Sequence, residues 1–253
     1  MSERKPRWWL RILSIVVVVG LLAGAAEVAL CLIIPGIIAG AVRSELNMTE
    51  DHPVDVTLGG SALVSAVQGK VGDVSIAVPN IPLLEGVETD AALHAAAIPF
   101  NPLEGELSDG EVELVVPKDQ LGAVVDLLTS GVAQTGEVRD GALVVGRSIE
   151  MFGQEVQLAA SIGITVVDGS VEITPLGVKA AGFDLTAEQI SAATGDLLDP
   201  VLQPQTVCIR DQLPRGVTLT DISLSSTGSA TIRADLDPGI LSDPAEQAQG
   251  TCK

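Results

Sequence analysis

The residues of this chain that could do chemistry are few, and its only two histidines are His52 and His94. His52 lies in "TEDHPVD", where we expect an exposed turn. His94 lies in "AALHAAAIPF", a strand-like stretch that predicts a residue on a sheet surface. A nucleophilic site would need a serine or cysteine beside one of them, and the chain has no G-x-S-x-G elbow. We therefore expect no catalytic residues and no enzymatic activity.

Metal-binding patterns are also missing from the sequence. The chain has no H-E-x-x-H motif, no C-x-x-C pair and no P-loop. The acidic stretches "TED" and "DLDPGILSDP" supply oxygen atoms of the kind that calcium prefers, but neither has EF-hand spacing. We expect no metal and no cofactor.

The three cysteines predict a crosslink that depends on where the chain resides. Cys31 lies in an apolar stretch, while Cys208 and Cys252 enclose 43 residues near the C-terminus. In an oxidising compartment, Cys208 and Cys252 would form a disulfide that ties the C-terminal tail to the body. In the cytosol they would remain two free thiols.

The first predicted element of the chain is an apolar N-terminal segment that could cross a membrane. Residues 12–26 carry no charge, and together with residues 8–11 they give nineteen residues, about the length that spans a bilayer. Basic residues precede this segment, so the N-terminus is predicted to be cytoplasmic and the remainder extracytoplasmic. The predicted organisation is a cytoplasmic basic tail, a transmembrane anchor or signal segment, and an extracytoplasmic domain: residues 1–7, 8–26 and 27–253.

The end of that span is predicted at Glu27. A charge at the bilayer centre costs roughly 3 kcal/mol on the insertion scale, so we place Glu27 at the outer interface, where a new element would begin. The following uncharged stretch, residues 28–42, would be the first element of the outer domain. A cleaved signal peptide is the alternative, because Ala25 and Ala26 each end a small-residue cleavage pattern.

Charge excludes one class of partner. The net charge is −19, and from Arg43 onward 31 acidic residues face 10 basic ones. The polyanionic backbone of DNA or RNA would repel such a domain, so we expect no nucleic-acid partner.

Alternating apolar residues predict a sheet-rich α+β domain with short amphipathic helices. The longest alternation runs from Val156 to Val166, and Asp168-Gly169 predicts a hairpin turn directly after it. The apolar phase shifts at Pro175, which indicates a bulge. Thr186 and Gln189 form the pattern of a capping box at the start of a helix.

Two sequence modules resemble a known family. They are "VDVTLGGSALVSAVQGKVGDVSIAV" and "VCIRDQLPRGVTLTDISLSSTGSATIRADL", the second closed by "GTC". Over about residues 27–252 the chain resembles the actinobacterial LmeA-type phospholipid-binding family. This resemblance implies a tubular lipid-binding-like fold, in which a long twisted antiparallel sheet wraps around helices and leaves an apolar cavity. It implies phospholipid binding in the cell envelope or periplasm, a role in envelope lipid or lipoglycan assembly, and no enzymatic residues.

Periodicity selects the candidate lipid-binding residues. They are the apolar faces of the three short helices and two phenylalanines, namely Leu63, Val64, Val67, Phe100, Leu121, Val124, Val125, Leu128, Phe152, Ile190 and Leu197. The candidates to meet a lipid phosphate are Lys70, Arg139, Arg147 and Lys179.

The sequence and its resemblance thus predict a single-pass, membrane-anchored extracytoplasmic protein that binds phospholipid and acts as a lipid carrier. The partners expected are phospholipid and, through the N-terminal helix, the cytoplasmic membrane. The alternative is a non-catalytic scaffolding domain of the envelope that binds another protein through a sheet edge.

Overall fold

Antiparallel strands and a few helices build an α+β structure. It is a computed structural model that describes residues 8–84, 87–101, 103–129, 131–151, 154–180, 183–194 and 202–252. The helices are α1 (Trp8–Glu45), α2 (Ala62–Val67), α3 (Leu121–Leu128), α4 (Ala187–Thr194) and α5 (Pro244–Gln247). The strands are β1 (Asp55–Leu58), β2 (Lys70–Leu84), β3 (Val87–Pro99), β4 (Ser108–Val116), β5 (Thr135–Arg139), β6 (Ala142–Met151), β7 (Gln154–Val167), β8 (Ser170–Ala180), β9 (Phe183–Thr186), β10 (Gln205–Val207), β11 (Val217–Leu224) and β12 (Ala230–Leu236).

The first sheet has the strand order β1-β2-β3-β4-β12-β11, and all its pairs are antiparallel. Alternation along β2 and β3 gives it one apolar face, on which Val74 and Ala95 pair and are completely buried. Ser75 and His94 pair on the opposite face, where the Ser75 hydroxyl lies 3.0 Å from Nδ1 of His94. His94 is thus a sheet-surface residue, as its strand-like sequence predicts.

The second sheet has the order β10-β8-β7-β6-β5, with β9 also paired to β8. The predicted hairpin is confirmed: β7 and β8 meet at Asp168 and Gly169, which both have positive φ as a tight two-residue turn requires. The predicted bulge is confirmed as well, because the β7–β8 register skips Leu176. Within its described residues the structure therefore has two six-stranded antiparallel sheets where one long sheet was predicted.

The apolar faces of the two sheets approach each other around α3. Leu121 of α3 is buried with Val116 and Ala230 of the first sheet, and Val138 of the second sheet packs against the same cluster. Gly136 of β5 permits this approach, because a Cβ atom there would come within 2.6 Å of the Val125 side chain. Two sheets packed around a helix agree with the predicted α+β arrangement.

A single helix, α1, continues through Glu27, so the predicted change of element at this residue is wrong. The Glu27 carboxylate accepts hydrogen bonds from the hydroxyl of Ser61 at 3.0 Å and from the backbone N–H groups of Ala62 and Leu63 at 2.7 Å each. These donors lie in the first turn of α2, where backbone N–H groups have no partner within the helix. The charge is satisfied by a distant segment, so it does not end the helix.

The second half of α1 lies along the first sheet. Ala39 is buried, and Nε of Arg43 donates to the carbonyl oxygen of His52 at 2.7 Å. The His52 ring in turn lies 2.8 Å from the carbonyl oxygen of Pro79 in β2. His52 is therefore half-buried and held in place, rather than the exposed turn residue that was expected.

We predict that Glu27→Ala uncouples α2 from α1. The first-turn N–H groups of α2 would lose their shared acceptor, so the amides of residues 62–67 should exchange roughly tenfold faster with deuterium. Hydrogen exchange of the full chain followed by mass spectrometry measures this. Glu45→Ala, which removes an exposed acid at the end of the same helix, should leave these amides unchanged. Equal exchange in both variants would contradict the role of Glu27.

The C-terminal tail is fixed by the predicted disulfide between Cys208 and Cys252. Backbone hydrogen bonds accompany it, since the N–H groups of Arg215 and Gly216 donate to tail carbonyl groups at 2.9 Å each. The tail therefore packs against the segment that leads into β11.

Candidate functional site

One face of the second sheet carries a continuous aliphatic surface. In antiparallel strands, directly paired residues share a face, and successive residues alternate between faces. The register places Leu143 beside Ile162, Val145 beside Ala160, and Ile164 beside Ile173 on one side. We call this surface the open face. Its aliphatic residues are Leu143, Val145, Ile149, Val156, Leu158, Ala160, Ile162, Ile164, Val166, Val171, Ile173, Val178, Leu185 and Val207.

The open face is only partly covered by the residues that the structure describes. None of its side chains is buried, and Val178, Leu185 and Val207 are exposed. The corresponding face of the first sheet contains fully buried residues such as Val74. α3 covers the β5 end, and β11 contacts β7. The apolar surface between them is suited to hold an apolar ligand, and the predicted apolar cavity stays a prediction.

The opposite face of the second sheet is polar and forms a groove of about 590 Å³. Arg139, Arg147 and Lys179, three of the four candidate phosphate contacts, line it. Arg139 forms an ion pair with Glu137, and Nζ of Lys179 lies 4.0 Å from a carboxylate oxygen of Asp184. Two of the three cations are therefore already near a carboxylate.

Arg147 differs from the other cations of this sheet by its register. It pairs with Leu158, which places it on the side of the open face, and its side chain is exposed. It also borders the groove, because β5 begins at Thr135 opposite Gly146 and leaves this part of β6 as an edge. A phosphate beside Arg147 would thus lie next to aliphatic side chains. Lys70, the fourth candidate, lies at the start of β2 in the first sheet.

The predicted lipid-binding residues of the helices are distributed between core and surface. On α3, Leu121 and Val125 are buried and Val124 packs against the same core, so these three hold the two sheets together. On α2, Leu63 is half-buried, while Val64 and Val67 are exposed.

Other predicted residues lie elsewhere. Phe100 is exposed in the loop after β3, and Ile190 of α4 is half-buried. Phe152 and Leu197, like the side chain of Leu128, lie outside the described residues. Their assignment to lipid binding stays a prediction.

The helix α4 begins as its sequence predicts. The backbone N–H of Gln189 donates to the Thr186 hydroxyl at 3.3 Å, and the Gln189 side chain accepts from the Thr186 N–H at 2.9 Å. This reciprocal pair is the predicted capping box. A hydrogen bond with the Thr186 side chain lowers the pKa of the neighbouring Glu188. α4 lies against β8 and β9 at the border of the open face.

The polar face of the first sheet carries an ion-pair network. Arg233 donates to Glu113 at 2.8 Å and to Asp221 at 3.1 Å, from adjacent strands. The hydrogen bond and the charge of Glu113 raise the pKa of Arg233. Among the residues that the structure describes, no three His, Cys, Asp or Glu side chains are grouped to hold a metal ion. These charges link β4, β12 and β11 across the sheet.

Two antiparallel sheets that pack around a helix define an α+β protein with a partly exposed aliphatic sheet face. Residues 32–228 match the family model described as LmeA-like phospholipid-binding, and the chain belongs to this family. The match begins at Leu32 in the second half of α1 and ends at Gly228, before β12. No curated protein and no solved structure matches the chain.

Proposed function

We propose that this protein is a membrane-anchored, extracytoplasmic phospholipid-binding protein that holds acyl chains against the open face. Membership of a phospholipid-binding family supports the ligand class. The position of the bound acyl chains is inferred from the row of aliphatic side chains on β6, β7 and β8. None of these side chains is buried within the described residues. An acyl chain laid on this face would complete its burial.

The energetics of such a contact are favourable. Each methylene that leaves water contributes about 0.8 kcal/mol. The alternation along β7 from Val156 to Val166 spans about 33 Å at the rise of an extended strand. Ten methylenes buried along this length would contribute about 8 kcal/mol before the cost of ordering the chain.

The N-terminal half of α1 supports membrane anchoring. Within the described residues, Gly20–Glu45 of α1 is long and apolar enough to cross a membrane, and apolar side chains on both sides of Glu27, such as Leu21 and Leu32, are exposed. We place the membrane-crossing part before Glu27, because Glu27 contacts α2, and residues 8–26 would be about 28 Å long as a helix. The disulfide supports an oxidising, extracytoplasmic location for the outer domain. The family match likewise begins only after Glu27.

Native mass spectrometry of the full chain, purified in mild detergent from an exporting host, tests this function. We expect one phospholipid bound per chain, identified after organic extraction, and its transfer between donor and acceptor vesicles would support a carrier role. An apo mass that persists after incubation with mixed phospholipid vesicles would contradict phospholipid binding.

We predict that Arg147→Gln weakens the binding of phosphatidylglycerol about tenfold, the loss expected for one charge-assisted hydrogen bond to the lipid phosphate. Titration of lipid into the full chain, followed by native mass spectrometry, measures the change. The control is Arg139→Gln, since Arg139 is paired with Glu137 on the opposite face and should have little effect. Equal losses in both variants would rule out a specific contact at Arg147.

A further inference from the structure

Exposed apolar side chains gather at one end of the first sheet, apart from the open face. Val64 and Val67 of α2 are 55% and 84% exposed, and Phe100 and Leu103, in the loop after β3, are 51% and 75% exposed. The loop is joined to the end of α2, because the backbone N–H of Phe100 donates to the carbonyl oxygen of Gly69 at 3.1 Å. We call Val64, Val67, Phe100 and Leu103 the end patch.

The helix α1 leaves the domain at the same end. Glu27 contacts Ala62 and Leu63 at the start of α2, beside the end patch. From there α1 runs along the sheet to Arg43, which contacts His52, whose ring reaches Pro79 near the other end of β2. Because the helix passes Glu27 unbroken, the residues before Glu27 extend beyond the end patch and away from the sheet.

We propose that the end patch inserts into the lipid headgroup layer on the extracytoplasmic surface of the membrane, which α1 reaches at Glu27. This inference rests on the proposed anchoring by residues 8–26. Val67 lies about 6 Å beyond Leu63 along α2, and the headgroup layer on each side of a bilayer is about 5–8 Å thick. The end patch therefore lies within the depth of that layer when residues 8–26 cross the membrane.

A lipid surface, rather than another protein, is the occupant that the geometry favours. Leu21 and Leu22 of α1 are exposed shortly before Glu27, and Glu27 contacts the start of α2 beside the end patch, so a bilayer that covers these leucines also meets the end patch. Apolar contact dominates this docking, since Glu104 follows Leu103 and the domain is strongly acidic. Zwitterionic lipid is accordingly the right test surface.

The docking also places the open face close to its ligand. The β7–β8 turn lies at the same end, because a Cβ atom on Gly169 would lie 3.7 Å from the Thr218 side chain. Thr218 follows Val217, and Val217 pairs with Leu236. Leu236 in turn pairs with Gly110. Gly110 lies near the end of the first sheet at which Lys70 pairs with Pro99. A lipid drawn from the outer leaflet would thus reach the open face without crossing bulk water.

Fluorescence quenching by brominated phosphatidylcholine tests this docking. The full chain would carry Cys31→Ser, to remove the exposed free thiol, and one new cysteine at Val67 or Phe100, labelled with a polarity-sensitive dye. Val132→Cys is the matched control: it is 63% exposed but follows α3, at the opposite end of β4. Quenching of Trp8 and Trp9 in the same vesicles reports whether the anchor has inserted.

We expect the dyes at Val67 and Phe100 to shift to the blue and lose most of their emission to brominated lipid, while the dye at Val132 keeps its aqueous emission. Quenched tryptophans with unquenched dyes at Val67 and Phe100 would overturn the end-patch proposal and leave the anchor intact. A blue shift without quenching would assign the patch to a second copy of the chain and also overturn it. Unquenched tryptophans would contradict the anchoring, and this inference with it.

Discussion

Ile162→Asp is expected to reduce bound phospholipid at least about tenfold. Ile162 lies on the central strand β7, between Leu143 and Pro175, and its half-buried side chain belongs to the open face. A carboxylate there would lose its hydration when an acyl chain covered it, at a cost of several kcal/mol, and it would also remove an aliphatic contact. Native mass spectrometry of the purified full chain measures the lipid that remains.

The neighbouring Ser161 provides the matched control. It lies on the opposite face of the same strand, beside Val144 and Gly177, and lines the polar groove that contains Lys179. Ser161→Asp should therefore retain its lipid. Thermal unfolding of both variants shows whether each is folded. Equal lipid loss in both, or normal lipid in folded Ile162→Asp, would contradict the assignment of the open face.

The disulfide should have the largest effect on stability. Replacement of both Cys208 and Cys252 by Ala opens a loop with a sequence separation of 44 residues. The chain-entropy model then gives a loss of about 4 kcal/mol in the free energy of unfolding. Urea unfolding of the full chain in mild detergent, followed by circular dichroism, measures this loss.

Cys31→Ala is the control for this experiment, since Cys31 is exposed and free. It should leave the urea midpoint unchanged. A double variant of Cys208 and Cys252 with the stability of the wild type would show that the backbone hydrogen bonds of Arg215 and Gly216 suffice to hold the tail.

Local features were predictable because local sequence determines them. The turn at Asp168-Gly169 needs two residues with positive φ, and the capping box of Thr186 and Gln189 needs only a spacing of three. Eleven residues with alternating apolar side chains predicted the strand β7. Glu27 could not be interpreted in this way, because its partners Ser61, Ala62 and Leu63 are 34 to 36 residues away.

The site was only partly predictable because periodicity identifies an apolar face without showing what covers it. The apolar face of α3, with Leu121 and Val125, has the spacing of a helix, and the apolar face of β7, with Ile162, has the alternation of a strand. In the structure the first is buried between the sheets and the second is open. Gly136, in the strand that follows α3, contributes to this difference, since its missing side chain lets α3 approach. Alternation in β6 and β7 was the available signal for the open face.

Photocrosslinking with a phospholipid that carries a diazirine on its acyl chain tests the central claim most directly. The full chain, loaded with this lipid and irradiated, would be digested and its adducts located by tandem mass spectrometry. We predict adducts at open-face residues such as Leu143, Ile162 and Ile164, and none at Ser161 or Thr165 on the opposite face. Adducts confined to the polar face or to other elements would contradict lipid binding on the open face.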